Sequence, residues 1–81
     1  MAKKLNEAEY KVILRGAMKE KAIKQQDLAD KLGMMQSSIS GNLNRTRMGL
    51  DVFVKMLDAM GYDVVVVDRD SGESVWKVKH E

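Results

Sequence analysis

Residues 23–47, IKQQDLADKLGMMQSSISGNLNRTR, decide the fold of this chain. Apolar residues at three- and four-residue spacing predict a helix from about Gln25 to Leu32. Gly33 follows directly and should end this helix, because glycine adopts the left-handed C′ conformation at no steric cost. A second helix is predicted from about Gln36 to Asn44. The stretch therefore predicts two short helices joined by a glycine turn.

The second helix has an outer face of unusual composition. Ile39 and Leu43 lie one turn apart and define its buried side. The outward positions are neutral, and their side chains are short and rich in hydrogen-bonding groups: Gln36, Ser37, Ser40, Gly41 and Asn44. A face that served solubility alone would carry Glu and Lys, so this one suits contact with the edges of DNA bases.

Length and composition limit what these helices can belong to. The 81 residues make one small domain, and 44% hydrophobic residues allow a compact core. A chain this short buries a limited fraction of its surface, so oligomerisation would add to its stability. Without cysteine there is no disulfide framework and no thiolate metal site. No apolar run approaches the roughly 20 residues of a membrane-spanning helix, and the N-terminus lacks a signal-peptide pattern. We therefore expect a soluble, intracellular protein.

The net charge of +2 is unevenly distributed along the chain. Residues 1–48 hold ten Lys and Arg against five Asp and Glu, whereas residues 49–81 hold four against seven. The basic half contains the helix pair, and a basic face around such a pair is typical of phosphate binding. Solvated surface charge explains the same imbalance about equally well, so the charge supports phosphate binding only together with the motif.

Two further helices flank the pair. One is predicted from about Leu5 to Lys21, with Asn6 near its cap and Glu7 and Glu9 in its first turn, where carboxylates favour the helix dipole. The other is predicted from about Leu50 to Met60 and ends before a glycine. The apolar stripes of both helices indicate that they pack in the core.

The last twenty residues change pattern. Residues 62–68 are β-branched and too short for another helix, which predicts a strand. Residues 70–72 form a turn signal, and residues 74–79 make a return strand, so this part should be a β-hairpin. Charge and size favour a register that pairs Val66 with Trp76, Asp63 with Lys79 and Arg69 with Glu73.

This hairpin is too apolar to be left in water, and an isolated two-stranded hairpin is marginally stable at best. The register puts Tyr62, Val64, Val66, Trp76 and Val78 on one face. Two more valines lie on the other face. The apolar surface must be covered by the helices of the same chain or by a second copy. We hypothesise a homodimer whose interface includes Val64, Val65, Val66, Val67, Trp76 and Val78.

Two segments carry a resemblance to a known family. The run QQDLADKLGMMQS, from Gln25 to Ser37, and the later helix LDVFVKMLDAMG, from Leu50 to Gly61, resemble the Cro and phage-lambda-repressor group of bacterial and phage DNA-binding proteins. The resemblance covers about residues 10–61. It implies a lambda-repressor-like helix-turn-helix domain of four to five helices at residues 1–61. Together with the C-terminal β-hairpin predicted above, at residues 62–81, the expected fold is mostly α.

The resemblance also implies roles for individual side chains. Gln25 would contact a phosphate and brace Gln36. Gln36 would make a bidentate contact to adenine, which its side-chain geometry independently favours. Ser37 would contact a base, and Asn44 would contact a phosphate.

Together with the outward positions, these roles give a base-contacting set of Gln36, Ser37, Ser40 and Gly41. The phosphate-contacting set is Lys24, Gln25, Asn44, Arg45 and Arg47. The two arginines follow the second helix in a loop, where cations that track the DNA backbone belong. Two residues depart from the family pattern: Met35 replaces the usual capping residue, and Asn42 occupies a position that is usually apolar.

The sequence argues against catalysis. His80 is the only histidine and lies one residue from the C-terminus, and the chain has no Gly-rich phosphate loop and no spaced carboxylate pair. The ligands of a tetrahedral metal site are missing as well. We expect no enzyme activity, no cofactor and no bound metal.

We therefore expect a sequence-specific regulator of transcription that binds double-stranded DNA, a repressor. It would bind a palindromic operator as a homodimer, with the helix at residues 36–44 in the major groove. It should be cytoplasmic, bacterial or phage-encoded, and associated with the nucleoid.

Two alternatives differ in the partner. The first is the antitoxin of a toxin–antitoxin pair, which would use the same helices on its own operator while another surface binds a toxin protein. The second is a helix-turn-helix kept only as a protein-interaction or dimerisation module. A toxin-like reading frame beside this one would favour the antitoxin. Salt-dependent binding to random duplex DNA would argue against the interaction module.

Overall fold

A computed structural model of the chain describes residues 7–44 and 47–80. Within these ranges the elements are α1 (Tyr10–Glu20), α2 (Gln25–Leu32), α3 (Gln36–Asn44), α4 (Leu50–Ala59), β1 (Val65–Val67) and β2 (Ser74–Lys77). The two strands form an antiparallel hairpin after the four helices. The predicted class, mostly helical with a C-terminal hairpin, is therefore confirmed. None of the described helices is long and apolar enough to cross a membrane.

The start of α1 differs from the prediction. Glu7 and Glu9 do not lie in its first turn, because the helix begins at Tyr10 and Glu9 is its extended N-cap residue, with φ −71° and ψ 157°. The Glu9 carbonyl accepts the first helical hydrogen bond, from the amide of Ile13 at 3.0 Å. Helix formation thus starts with the apolar stripe that the core can bury. The predicted start at Leu5 and the cap at Asn6 lie outside the described residues.

The helix pair α2 and α3 has the predicted bounds, and α4 ends one residue earlier than predicted. Gly33 ends α2 in the left-handed conformation, with φ 65° and ψ 32°. The amide of Met34 donates to the carbonyl of Ala29 at 2.9 Å, which is the long bond of a Schellman motif. The glycine turn therefore redirects the chain into α3 as the sequence predicts.

All four helices contribute to one core. Its fully buried large side chains are Leu14, Leu28, Ile39, Leu43 and Met56. Two of these five belong to α3, which packs against both α1 and α2. Burial at this level holds α3 at a defined rotation about its own axis, so its outer face is set by the core behind it.

The hairpin keeps the predicted register at its base and loses it near the turn. Val66 pairs with Trp76 as predicted, but Val67 pairs with Ser74 because the register shifts by one residue. The predicted pairing of Arg69 with Glu73 is wrong, since the amide of Asp68 donates to the Glu73 carbonyl at 2.9 Å.

The cause of the shift is the turn itself. The Asp68 carboxylate accepts hydrogen bonds from the amides of Asp70, at 2.9 Å, and Ser71, at 3.3 Å. The Asp68 carbonyl accepts a further bond from the amide of Gly72 at 2.8 Å. These bonds close the loop one residue earlier than charge pairing would, because aspartate readily bonds the backbone two residues on.

At the other end of the hairpin, Asp63 forms its ion pair diagonally with Lys77, at 3.1 Å, and not with the predicted Lys79.

Only the base of the hairpin touches the helices. Tyr62 and Val64 pack against the helical core, and Val78 is half-buried. Neither strand approaches a helix, since no Cα of β1 or β2 lies within 8 Å of a Cα in α1 to α4. The rest of the hairpin projects from the helices with its valines and its tryptophan exposed.

Candidate functional site

The outer face of α3 is exposed and uncharged. Gln36, Ser37 and Asn44 are exposed, while Ser40 and Gly41 are half-buried at the edge of the contact with the other helices. No charged residue occurs anywhere in this helix. All of the predicted base-contacting residues therefore lie together on one accessible surface, which offers hydrogen-bonding groups without a fixed charge.

The two departures from the family pattern are accommodated locally. Met35 precedes α3 with its side chain 73% exposed, and its carbonyl accepts the amides of Ser38 and Ile39 at 2.9 and 3.3 Å. Asn42 is half-buried, and its Nδ2 donates to the Ser38 carbonyl at 2.9 Å. That hydrogen bond satisfies the amide within the helix, so an apolar residue is not needed at position 42.

Arg15 of α1 lies at the C-terminal end of α3 and was missed by the sequence analysis. Its Nη2 is 3.1 Å from Oδ1 of Asn44 and 3.4 Å from the carbonyl oxygen of Leu43. The Nδ2 of Asn44 lies in turn 3.4 Å from Oγ of Ser40. One signal was present in the sequence, because Lys11, Arg15 and Lys19 recur every four residues and so share one side of α1.

The start of α2 carries the next predicted contacts. Lys24 is the N-cap residue, and its amide donates to Oδ2 of Asp27 at 2.9 Å. Its side chain is exposed, and Gln25 beside it is half-buried. Both stay accessible for a phosphate, and bracing of Gln36 by Gln25 stays a prediction. Gln26 differs from Gln25, because its Nε2 donates to Oδ1 of Asp30 at 2.8 Å within the same helix.

Of the two arginines predicted as phosphate contacts after α3, the structure describes one. Arg47 is exposed in the connection that leads to α4. Arg45 lies outside the described residues. Of the predicted phosphate contacts on the described part of the chain, Lys24, Asn44 and Arg47 are thus exposed and Gln25 is half-buried.

The predicted dimer residues divide into two groups. Val64 and Val78 are half-buried at the base of the hairpin, where Val64 packs against its own helices. Val65, Val66, Val67 and Trp76 are exposed, at 36–68% of their full surface, and Val75 joins them at 49%. The hairpin base is therefore covered within the chain, and the projecting part is not.

A groove of about 330 Å³ separates α4 from the hairpin base. Both aspartates that line it have partners, since Nε2 of His80 lies 3.1 Å from Oδ2 of Asp58 and Nζ of Lys77 lies 3.1 Å from Oδ1 of Asp63. Tyr62 also lines the groove, and Nζ of Lys21 lies 4.8 Å from the centre of its ring. Partial burial, followed by the nearby Glu20 carboxylate, raises the pKa of Tyr62. These contacts anchor the hairpin to the helices.

The chain was compared with protein-family models, with curated proteins and with solved structures, and no match was found in any of the three. The geometry of α3 and of its surroundings therefore carries the functional argument.

Proposed function

We propose that this protein is a sequence-specific regulator of transcription that binds double-stranded DNA, and that it acts as a repressor. The observation that carries the proposal is the surface of α3. Ile39 and Leu43 are 0% and 1% exposed and hold the helix against the core, so its neutral, hydrogen-bonding face points outward. Base edges in the major groove are recognised by side chains of this kind.

The surroundings of α3 support the same partner. Lys24 lies at the start of α2, Arg15 beside the end of α3, and Arg47 in the connection after it. In DNA complexes, contacts to bases determine sequence specificity, and contacts to phosphates position the protein on the duplex. In this proposal the neutral side chains of α3 contact the bases and these cations contact the phosphates. In this proposal α2, the Gly33 turn and α3 act as a helix-turn-helix of the lambda-repressor type, with α3 as the recognition helix.

Individual roles follow from position. Gln36, at the start of α3, contacts adenine through its amide, because oxygen and nitrogen together match N6 and N7 of that base. Ser37, Ser40 and Gly41 line the same surface along the groove. The phosphate contacts are made by Lys24, Gln25, Asn44, Arg45 and Arg47.

A second copy of the chain completes the proposed reader. The projecting valines and Trp76 are uncovered in the single chain, and burial against the same surface of a partner would remove them from water. A two-fold axis through the hairpins would present two α3 helices to half-sites about 34–36 Å apart. Sedimentation at micromolar concentration should therefore give twice the mass of one chain, and a monomer would contradict this part of the proposal.

The test of base recognition begins with selection of bound duplexes from a random DNA pool. Gln36→Ala should then cost about 1–3 kcal/mol on the selected site and relax the preference at one base pair. The matched control is Gln26→Ala, a glutamine of α2 that is exposed and bonded within its own helix. Equal losses for the two variants, or a pool without any consensus, would contradict base recognition by α3.

Repression is tested separately in cells. A promoter that carries the selected site should give less reporter transcription in the presence of the wild-type chain, and Gln36→Ala should restore it. If the chain binds no DNA even at low salt, the DNA proposal fails.

A further inference from the structure

We infer that Arg15, Asn44 and Ser40 form a binding site for a backbone phosphate at the C-terminal end of α3, and that Arg15 supplies its charge. The inference rests on the proposed DNA binding and adds to it a residue on another helix, which the motif does not include. The three residues form a continuous chain of hydrogen bonds, with steps of 3.1 Å from Arg15 to Asn44 and 3.4 Å from Asn44 to Ser40.

The polarity of this chain follows from the chemistry of arginine. A guanidinium has only donors, so the Asn44 oxygen must face Arg15 and the Asn44 NH₂ group must face away from it. That NH₂ group donates to the Ser40 oxygen, and the Ser40 hydroxyl hydrogen is then available to donate onward. The site therefore keeps several unused donors: the further N–H groups of Arg15, one of Asn44 and the hydroxyl of Ser40. A phosphate, whose oxygens only accept, is the matching ligand.

Arg15 also brings positive charge to the C-terminal end of α3. The C-terminal end of a helix carries a partial negative charge of about half an electron, which by itself repels an anion. The last turn of α3 contains no basic residue to offset it. The Arg15 guanidinium, 3.4 Å from the Leu43 carbonyl, reverses the sign of the local charge. Arg15 thus adds a cation from α1 to the arginines that follow α3 in the sequence and that we propose as phosphate contacts.

The site lies beside the proposed base-contacting surface. Ser40 is one helical turn from both Gln36 and Asn44, so the three share one side of α3. A phosphate held by Arg15 and Asn44 would fix how far α3 slides along the groove, because phosphate contacts set the position of a protein on the duplex. Arg15 is thus a positioning residue for recognition as well as a cationic contact.

The test uses the full chain and two duplexes, one selected from a random pool and one unselected, at several salt concentrations. Arg15→Gln should weaken binding to both duplexes by about tenfold or more and lower the slope of log K against log salt by about 0.9, the loss of one phosphate contact. Lys19→Gln is the matched control, because it removes the same charge one turn further along α1 from an exposed position. Its effect on the slope should be less than half as large.

Asn44→Asp separates phosphate binding from a merely structural role. The carboxylate keeps the shape of asparagine, and its ion pair with Arg15 offsets its repulsion by the C-terminal end of α3, so the melting temperature should change little. The same change removes the NH₂ donor and adds a negative charge beside the guanidinium, so DNA binding should weaken by at least about tenfold.

The possible results are distinguishable. A wild-type slope for Arg15→Gln, or wild-type affinity for Asn44→Asp, would overturn the phosphate site while DNA binding by the wild-type chain stands. A third result is that Arg15→Gln loses both affinity and melting temperature while Asn44→Asp keeps wild-type affinity. That result would show that Arg15 only holds α3 in place. A wild-type chain that binds neither duplex would overturn the proposed function, and the phosphate site with it.

Discussion

The helix α3 and the C-terminal hairpin expose opposite kinds of surface. In α3 the apolar residues Ile39 and Leu43 are buried and the polar residues face outward. In the hairpin Val66 is 46% exposed and Trp76 68%, and no helix covers either strand. The first element is complete within one chain, whereas the second lacks part of the burial that a two-stranded hairpin needs. We therefore propose different partners for the two elements, DNA for α3 and a second chain for the hairpin.

The largest expected effect is on the buried side of α3. Ile39→Ala should lower the free energy of unfolding by about 2–5 kcal/mol, because it removes a fully buried side chain and leaves a cavity in the core. Ser38→Ala, one residue away and exposed, is the control and should stay within about 0.5 kcal/mol of wild type. Urea denaturation measures both. Similar values for the two variants would mean that α3 is not fixed by the core.

The next effect concerns the hairpin and should appear in association rather than in folding. Trp76→Ser should weaken self-association by about 2 kcal/mol or more, because an exposed tryptophan at an interface centre is a typical hot spot. Val12→Ser on α1, where the valine is 61% exposed, is the control for loss of exposed apolar surface. Sedimentation equilibrium measures both. Dissociation by Val12→Ser alone would place the dimer interface on α1 and leave the hairpin without its proposed partner.

Replacement of two glycines by alanine should change the stability of the fold in opposite directions. Gly33→Ala should destabilise the fold by about 1–2 kcal/mol, because its φ of 65° is unfavourable for a residue with a Cβ atom. Gly41→Ala should stabilise it by about 0.5–1 kcal/mol, since the position is helical and an added Cβ meets no atom within 4 Å. Thermal unfolding of the two variants provides the measurement. Equal signs would contradict the described turn between α2 and α3.

The smallest effect is confined to alkaline pH and concerns the hairpin base. Tyr62 has its pKa raised above the ordinary value of 10.0, so the unfolded chain loses this proton first as the pH rises. The free energy of unfolding should therefore fall as the pH rises above 10. Below pH 10, ionisation of Tyr62 should add no pH dependence. Tyr62→Phe should remove this part of the pH dependence, which urea midpoints on both sides of pH 10 will detect. Parallel curves for wild type and variant would show that Tyr62 is not shielded at the base.

The helix pair was predictable because its signals are local. Apolar spacing and Gly33 determine α2 and α3 to the residue, and the same reasoning found α4 within one residue. The start of α1 was not predictable from carboxylates near the N-terminus, because Glu9 stays extended as the N-cap residue and the helix begins at Tyr10. The hairpin register was predicted correctly at Val66 and missed beyond it. There the backbone bonds of Asp68 outweigh the charge pairing of Arg69 with Glu73.

For the candidate site, local sequence predicts which residues form α3 and which of them face outward, because helical periodicity is a property of neighbouring residues. The position of Arg15 at the end of α3 depends instead on helix packing, since Arg15 and Asn44 are 29 residues apart in the chain. Helix packing also determines that the strands β1 and β2 stay clear of the helices while Tyr62 and Val64 pack against them. Contacts at such separation depend on how the helices pack, and no local pattern encodes that packing.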